Sequence, residues 1–244
     1  MRSTSVLVIT AMLLCVTPLY ITTARADPSL RVASVASQSI GVFFEFEGPP
    51  PQLIVDTMER EVQSIMGPAG LLFSWHELGS AASQGTFADL IVVKFKGSCS
   101  GTLPSFMRRG PGDEPVPLAS TQVSDGHVLH FSEVRCDELR HYLGGAASLL
   151  NEAGRNQLYG RALGRIVSHE MWHIFAGTEK HASGGVAQAR HSREELVRPV
   201  FVFTPNEEKI LHEYALRALV PKDARPEPEV EVERESDTSA ISGR

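Results

Sequence analysis

The sequence has little positive charge, few cysteines and no long apolar run, and these shortages narrow the classes of protein to consider. Its 244 residues carry 23 basic against 29 acidic side chains, a net charge of −6, which disfavours a nucleic-acid partner. The apolar stretch from Val6 to Val16 is too short for a comfortable membrane span and is followed by Thr17 and Pro18. No internal repeat is present. A single globular domain is the simplest expectation.

Residues 1–26 predict a secretory signal peptide. Arg2 gives the segment a positive start, the apolar stretch follows, and Ala24-Arg25-Ala26 forms a small-x-small cleavage site. Removal of this leader leaves 21 basic and 29 acidic residues, a net charge of −8. We therefore expect a secreted or periplasmic protein with no stable membrane insertion after cleavage.

Two cysteines remain once Cys15 has left with the leader. These are Cys99 and Cys136, and in an oxidising compartment such a pair favours a disulfide. Two buried free thiols are the alternative. Nothing in the spacing of the two residues supports a role as metal ligands.

The pattern of apolar residues predicts an α+β domain over residues 27–220. Strands are predicted at 39–47, 71–77, 88–96 and 126–133, and helices at 52–65, within 136–151, from 157 to the glycine at 177, from 192, and at 205–219. Glycine and proline at high density predict an irregular loop at 97–117. The charged segment 221–244 lacks large apolar side chains, which predicts a disordered tail.

The most informative motif is His169-Glu170-Met171-Trp172-His173, at the end of a predicted helix. Positions i and i+4 lie one turn apart on the same helix face, so both imidazoles can converge on one cation. Glu170 lies close enough to act as general base on a metal-activated water. The motif predicts one catalytic zinc ion bound by His169 and His173.

A catalytic zinc takes three protein ligands in most such sites, so a third is expected outside the motif. His181 is the first candidate, because Gly177 lets the chain turn sharply out of the helix and back toward the metal. Glu194 or Glu195, about twenty residues downstream of the motif, would instead give a site with two histidines and one glutamate. His191 is a third possibility.

With Gly177 and His181, the motif resembles the metzincin clan of zinc endopeptidases, in which the active-site helix ends at a glycine and a third histidine follows. The resemblance implies a twisted, mostly parallel sheet with an antiparallel edge strand, a backing helix, the active-site helix and a small, mostly helical C-terminal lobe. It also implies that extended substrate pairs with the edge strand beside the cleft. On this basis the substrate cleft would be lined by Val128, Leu129, His130 and Phe131.

The sequence departs from the clan's pattern HExxHxxGxxH in two ways. Gly177 and His181 come one and two residues late, and no methionine after Met171 is present to form the clan's turn beneath the zinc. The segment 184–187 occupies the place of that turn, with Val186 or Ala187 where the clan has methionine.

From these features we expect a secreted, monomeric zinc endopeptidase that acts on peptides or proteins, with Glu170 as general base. One alternative is a catalytically inactive binding or scaffold protein of the same fold, suggested by the missing methionine and the longer spacing. The presence of Glu170 argues against it. Another is a zinc amidase that acts on a non-peptide amide, such as a cell-wall component.

Overall fold

The computed structural model describes residues 39–80, 86–102 and 116–218, which form an α+β fold around one sheet. The predicted leader at 1–26, the tail at 221–244 and most of the predicted loop at 97–117 lie outside these ranges. None of the helices in the described part of the chain has the length and apolar character needed to cross a bilayer.

The strands are β1 (Ile40–Phe46), β2 (Phe73–Glu77), β3 (Asp89–Lys96), β4 (Ala119–Ser124) and β5 (His127–Arg135). The helices are α1 (Gln52–Met66), a short 3₁₀ turn (Gly67–Ala69), α2 (Cys136–Ala147), α3 (Glu152–Ala176), α4 (Arg193–Val197) and α5 (Pro205–Ala218).

The sheet has the strand order β2-β1-β3-β5-β4. The first three pairs are parallel, and β4 lies antiparallel to β5 at the edge. Side chains such as Val42, Ile91 and Val93 are almost fully buried, as expected for parallel strands inside a sheet. The predicted α+β class, with a mostly parallel sheet and an antiparallel edge strand, is confirmed.

Strand β4 was not predicted from the sequence. It joins β5 through Asp125 and Gly126, which have φ of 51° and 75°, as a tight hairpin turn requires. The side chains of β4 are mostly polar and half-buried or exposed, which an edge strand allows because it buries little side-chain area. The Asp-Gly dipeptide directly before the predicted strand at 126–133 is the signal that identifies the hairpin.

Helices α1 and α3 cross at a pair of glycines. A Cβ atom on Gly160 would lie 2.7 Å from the carbonyl oxygen of Ile54, and one on Gly164 would lie 2.8 Å from that of Met58. The two glycines are four residues apart on α3 and so share one helix face. The absence of side chains there allows the two backbones to pack directly against each other.

Helix α3 places the motif in its last turns. Its first turn is capped by the Asn151 side chain, which accepts a hydrogen bond of 2.8 Å from the Gly154 N–H. It starts at Glu152, earlier than the predicted residue 157, and ends as predicted at Gly177, whose φ of 58° is left-handed. The chain therefore reverses direction directly after the motif.

Two helices follow α3 in the described chain, and a buried arginine fixes the first of them. Helix α4 begins with a capping box between Ser192 and Glu195. Arg165 of α3, with 1% of its side chain exposed, donates to Glu61 Oε1 of α1 at 2.7 Å and to the Glu195 carbonyl at 2.8 Å. This one side chain links α1, α3 and α4.

Cys99 and Cys136 form the predicted disulfide, with their Cα atoms 4.8 Å apart. Both residues are buried in the core. The bond joins the segment after β3 to the first residue of α2, and so encloses the β4–β5 hairpin in a covalent ring.

Candidate metal centre

Three histidines meet at the C-terminal end of α3. One ligand atom from each of His169, His173 and His181 lies within 4.8 Å of the other two, a grouping able to hold a metal ion. The Nε2 atoms of His169 and His173 are 3.2 Å apart. The ring of His181 lies 4.8 Å from the ring of His173 between centroids, and His181 is exposed where the other two are buried. The left-handed turn at Gly177 brings His181 back to the motif.

The hydrogen bonds of the two buried histidines define their tautomers. His169 Nδ1 lies 2.8 Å from the carbonyl oxygen of Val186, and His173 Nδ1 lies 2.7 Å from that of Thr178. A carbonyl oxygen only accepts, so both Nδ1 atoms carry the hydrogen. Burial lowers the pKa of His169 to about 3 and also lowers the pKa of His173. The environment of both rings therefore favours the neutral form, in which Nε2 has a free lone pair.

Two unprotonated nitrogens that face each other at 3.2 Å repel unless a cation lies between them. A tetrahedral zinc with Zn–N bonds of 2.0–2.1 Å holds its ligand nitrogens about 3.3 Å apart, which matches this separation. Neutral imidazoles whose other nitrogen donates to a backbone carbonyl are typical zinc ligands. The three histidines thus fit a metal ion, and the separation of the His169 and His173 nitrogens is the one that zinc requires.

Glu170 lies beside this centre with its carboxylate held by the edge strand. Its Oε2 accepts a 2.7 Å hydrogen bond from Thr121 Oγ1, which in turn lies 3.0 Å from Ser132 Oγ. Burial raises the pKa of Glu170 to about 7, although the hydrogen bonds from Thr121 act to lower it. Such a group exchanges a proton readily near neutral pH.

Thr121 is a site residue that the sequence did not reveal. It lies on β4 opposite Ser132 of β5, and its hydroxyl is also 3.2 Å from the Glu170 carbonyl oxygen. The residue belongs to the unpredicted polar strand, so its place beside Glu170 depends on sheet pairing alone. The Asp-Gly turn signal would have placed it on a hairpin but not beside the motif.

The residues predicted to line the substrate cleft lie in β5, which is the second strand from the edge. Because β4 pairs with the outer side of β5, the outermost strand of the described sheet next to the centre is β4. The β4–β5 register shifts between Thr121 and Val123, opposite Leu129, His130 and Phe131. Irregularities of this kind are frequent beside active sites. A substrate role for Val128 to Phe131 stays a prediction.

His130 takes part in a network that joins the sheet to α5. Its Nδ1 lies 3.3 Å from Asp89 Oδ1, and the Tyr214 hydroxyl donates to the other Asp89 oxygen. Burial alone would raise the pKa of Asp89, but the hydrogen bonds from His130 and Tyr214 lower it to about 2. The bond to Asp89 raises the pKa of His130, against the opposing effect of burial.

The alternative third ligands have other roles or positions. The Glu195 carboxylate accepts hydrogen bonds from the Ser192 N–H at 2.7 Å and from Gln188 Nε2 at 3.0 Å. His191 Nε2 lies 3.0 Å from the Val186 carbonyl oxygen, and Glu194 is exposed on α4. Within the described chain, His181 is the residue that joins the motif histidines in a metal-binding group.

Residues 186 and 187 lie against the centre. Val186 and Ala187 are fully buried, and the Val186 carbonyl is the group that orients His169. A backbone oxygen contributes to the site here, and the side chain at this position contributes to the core.

Comparison with known proteins gives no assignment: no protein-family model matches the chain, and no curated protein matches it significantly.

Proposed function

We propose that this chain is a zinc-dependent endopeptidase that hydrolyses peptide bonds, with His169, His173 and His181 as metal ligands and Glu170 as general base. The observation that carries the proposal is the pair of Nε2 atoms of His169 and His173 held 3.2 Å apart. Two backbone carbonyls fix that arrangement, and a third histidine completes it. The resemblance to metzincins and the predicted leader at 1–26 support a secreted or periplasmic peptidase.

Glu170 performs the proton transfers in this proposal. A bound zinc would supply a Lewis acid and lower the pKa of a water in the open position to about 7. Glu170 accepts a proton from the attacking water and then donates it to the nitrogen of the leaving amine. Thr121 holds the carboxylate in place, and a neighbouring cation favours its charged form.

The edge strand β4 supports an extended peptide as the substrate. Within residues 39–80, 86–102 and 116–218 its pairing partner is β5, so its outer backbone groups face away from the described sheet. An extended chain can add to such an edge as a further strand, with its backbone beside Glu170. The net charge of −6 on the whole chain argues against nucleic acid as the substrate.

Glu170→Gln tests the catalytic step. We expect hydrolysis of a broad peptide library to fall by about 10²- to 10⁴-fold, because general-base catalysis is lost while the ligands stay. Zinc content should stay at one ion per chain. Glu208→Gln, an exposed glutamate at the start of α5, is the matched control and should keep full activity. Undiminished turnover in the Glu170 variant would exclude the mechanism.

His181→Ala tests the ligand set. We expect zinc affinity, measured by competition with a chelator, to fall by orders of magnitude, whereas His141→Ala on α2 should leave it unchanged. If only a change at Glu194 or Glu195 weakened binding, the site would be of the two-histidine, one-glutamate kind. If zinc bound normally but no peptide was cleaved, the same assay with non-peptide amides would separate an amidase from a non-catalytic scaffold.

A further inference from the structure

His191 lies next to the metal centre without joining the metal-binding group. Its ring is 5.4 Å from the ring of His169 between centroids and 5.0 Å from the ring of Phe201. Its Nε2 is 3.0 Å from the Val186 carbonyl oxygen, the same oxygen that accepts from His169 Nδ1 at 2.8 Å. Two imidazoles therefore share one carbonyl, which has a lone pair for each.

The other side of His191 is held by an amide and a carboxylate. Its Nδ1 lies 3.0 Å from Gln188 Nε2, and the same amide nitrogen lies 3.0 Å from Glu195 Oε1. The Glu195 carboxylate can only accept, so the amide nitrogen of Gln188 must face it. The second hydrogen of that nitrogen then points at His191 Nδ1, which must be the acceptor.

These contacts allow one arrangement of protons. His191 accepts at Nδ1 and donates from Nε2 to Val186, and His169 donates from Nδ1 to the same oxygen. The hydrogen bonds thus form a chain from the capping box of α4, through Gln188 and His191, to the Val186 carbonyl, which orients His169. Two of these residues are also held by other helices: Tyr142 of α2 donates to the His191 carbonyl at 2.9 Å, and Arg165 of α3 donates to the Glu195 carbonyl.

We propose that His191 is a positioning residue of the zinc centre, which fixes the Val186 carbonyl and thereby the tautomer and orientation of His169. The proposal deepens the proposed function and rests on it. The turn at Val186 has no methionine side chain to place beneath the zinc. It contacts the centre through the Val186 carbonyl, which His169 and His191 share. Groups that orient a metal ligand in this way change metal affinity by about 10- to 100-fold when they are removed.

Zinc affinity of three variants provides the first test. His191→Phe keeps a ring against Phe201 but removes both nitrogens, and we expect the zinc Kd to rise about 10- to 100-fold. His191→Gln places an amide nitrogen at the same number of bonds from Cβ as Nε2, so it should restore most of the affinity. His141→Phe is the control and should leave the Kd unchanged. Wild-type affinity in a folded His191→Phe protein would overturn the proposal.

The tautomer of His191 provides the second test, which a purely structural role would not predict. Long-range ¹H–¹⁵N NMR of the labelled protein should show His191 with its hydrogen on Nε2 and a bare Nδ1. Gln188→Leu removes the hydrogen bond to Nδ1 and leaves the one from Nε2 to the Val186 carbonyl, so the tautomer should persist, but the ring is held on one side only and the zinc Kd should rise. An Nδ1–H tautomer in the wild type would overturn the proposal.

Folding of the zinc-free variants is followed by circular dichroism. If His191→Phe does not fold, Gln188→Leu decides the question, and an unchanged zinc Kd in that variant would overturn the positioning role. Failure of the wild type to bind zinc would overturn the proposed function together with the role of His191. Normal zinc binding with no response in any variant would overturn the role of His191 alone.

Discussion

Replacement of Gly160 by alanine should destabilise the protein, even though alanine favours helix. In an unobstructed helix interior this substitution stabilises by about 1 kcal/mol. Here the new Cβ would lie 2.7 Å from the Ile54 carbonyl oxygen and 2.9 Å from Thr57 Cβ, where ordinary contacts exceed about 3.4 Å. Because the closest atom belongs to the backbone, α1 as a whole must move by more than half an ångström.

Overpacking of this kind costs about 1–3 kcal/mol, so the net loss in the free energy of unfolding should be as much as about 2 kcal/mol. Gly164→Ala should behave similarly, since its Cβ would meet the Met58 carbonyl oxygen at 2.8 Å. The double variant should lose less than the sum of the two, because one displacement of α1 relieves both contacts.

Urea unfolding followed by far-UV circular dichroism measures these differences. Gly154→Ala is the control on the same helix, where the nearest atoms to the new Cβ are the Asn151 side-chain oxygen at 3.1 Å and Leu150 Cβ at 3.3 Å. These contacts are longer than the one at Gly160 and involve no backbone atom, so this variant should lose less stability than Gly160→Ala. A gain of about 1 kcal/mol in Gly160→Ala would refute the close crossing.

Three further predictions concern stability, each measured by urea unfolding. Cys99 and Cys136 are 37 residues apart in the sequence, so their disulfide restricts a long loop in the unfolded chain. Its reduction should lower the free energy of unfolding by as much as about 4 kcal/mol. Asp89 contributes stability above pH 4 that is lost as the pH falls toward 2, because hydrogen bonds from His130 and Tyr214 overcome the effect of burial and lower its pKa to about 2. Between pH 4 and pH 2 the free energy of unfolding of the wild type should therefore fall by up to about 2 kcal/mol more than that of Asp89→Asn. The same pH dependence in both proteins would contradict this. Glu61→Gln should cost about 3 kcal/mol, since it leaves the buried Arg165 without its charged partner, whereas Glu213→Gln in the exposed pair with Lys209 should change stability by less than about 1 kcal/mol.

The parts of the fold that the sequence predicted are those with a strong local pattern. Helix α1 follows the spacing of its apolar residues, and Gly177 ends α3 because a left-handed residue is needed there. Three of the four predicted strands have buried or aromatic-rich sequences. The motif could be placed on its helix because i and i+4 spacing is itself a helical property.

The parts that the sequence did not predict depend on contacts between distant segments. Thr121 approaches Glu170 only because β4 pairs with β5 at the sheet edge, and a polar edge strand carries a weak signal. The spacing of apolar residues also could not show that the Glu195 carboxylate caps a helix and accepts a hydrogen bond from Gln188. The Ser-x-x-Glu capping pattern was nevertheless present in the sequence. The sequence offered several candidates for the third metal ligand, and among its local signals only the turn at Gly177 favoured His181. The structure places His181 with the motif histidines.

The disulfide has a consequence for how the molecule would respond to proteolytic nicking. Strands β4 and β5 lie wholly between Cys99 and Cys136, so a single backbone cut between Cys99 and β4 would leave two fragments that stay covalently joined. The longer fragment would retain the hairpin, Thr121 and the whole of α3. A nicked molecule should therefore migrate as one species on a non-reducing gel and as two after reduction, and Thr121 stays on the same fragment as Glu170 in both cases.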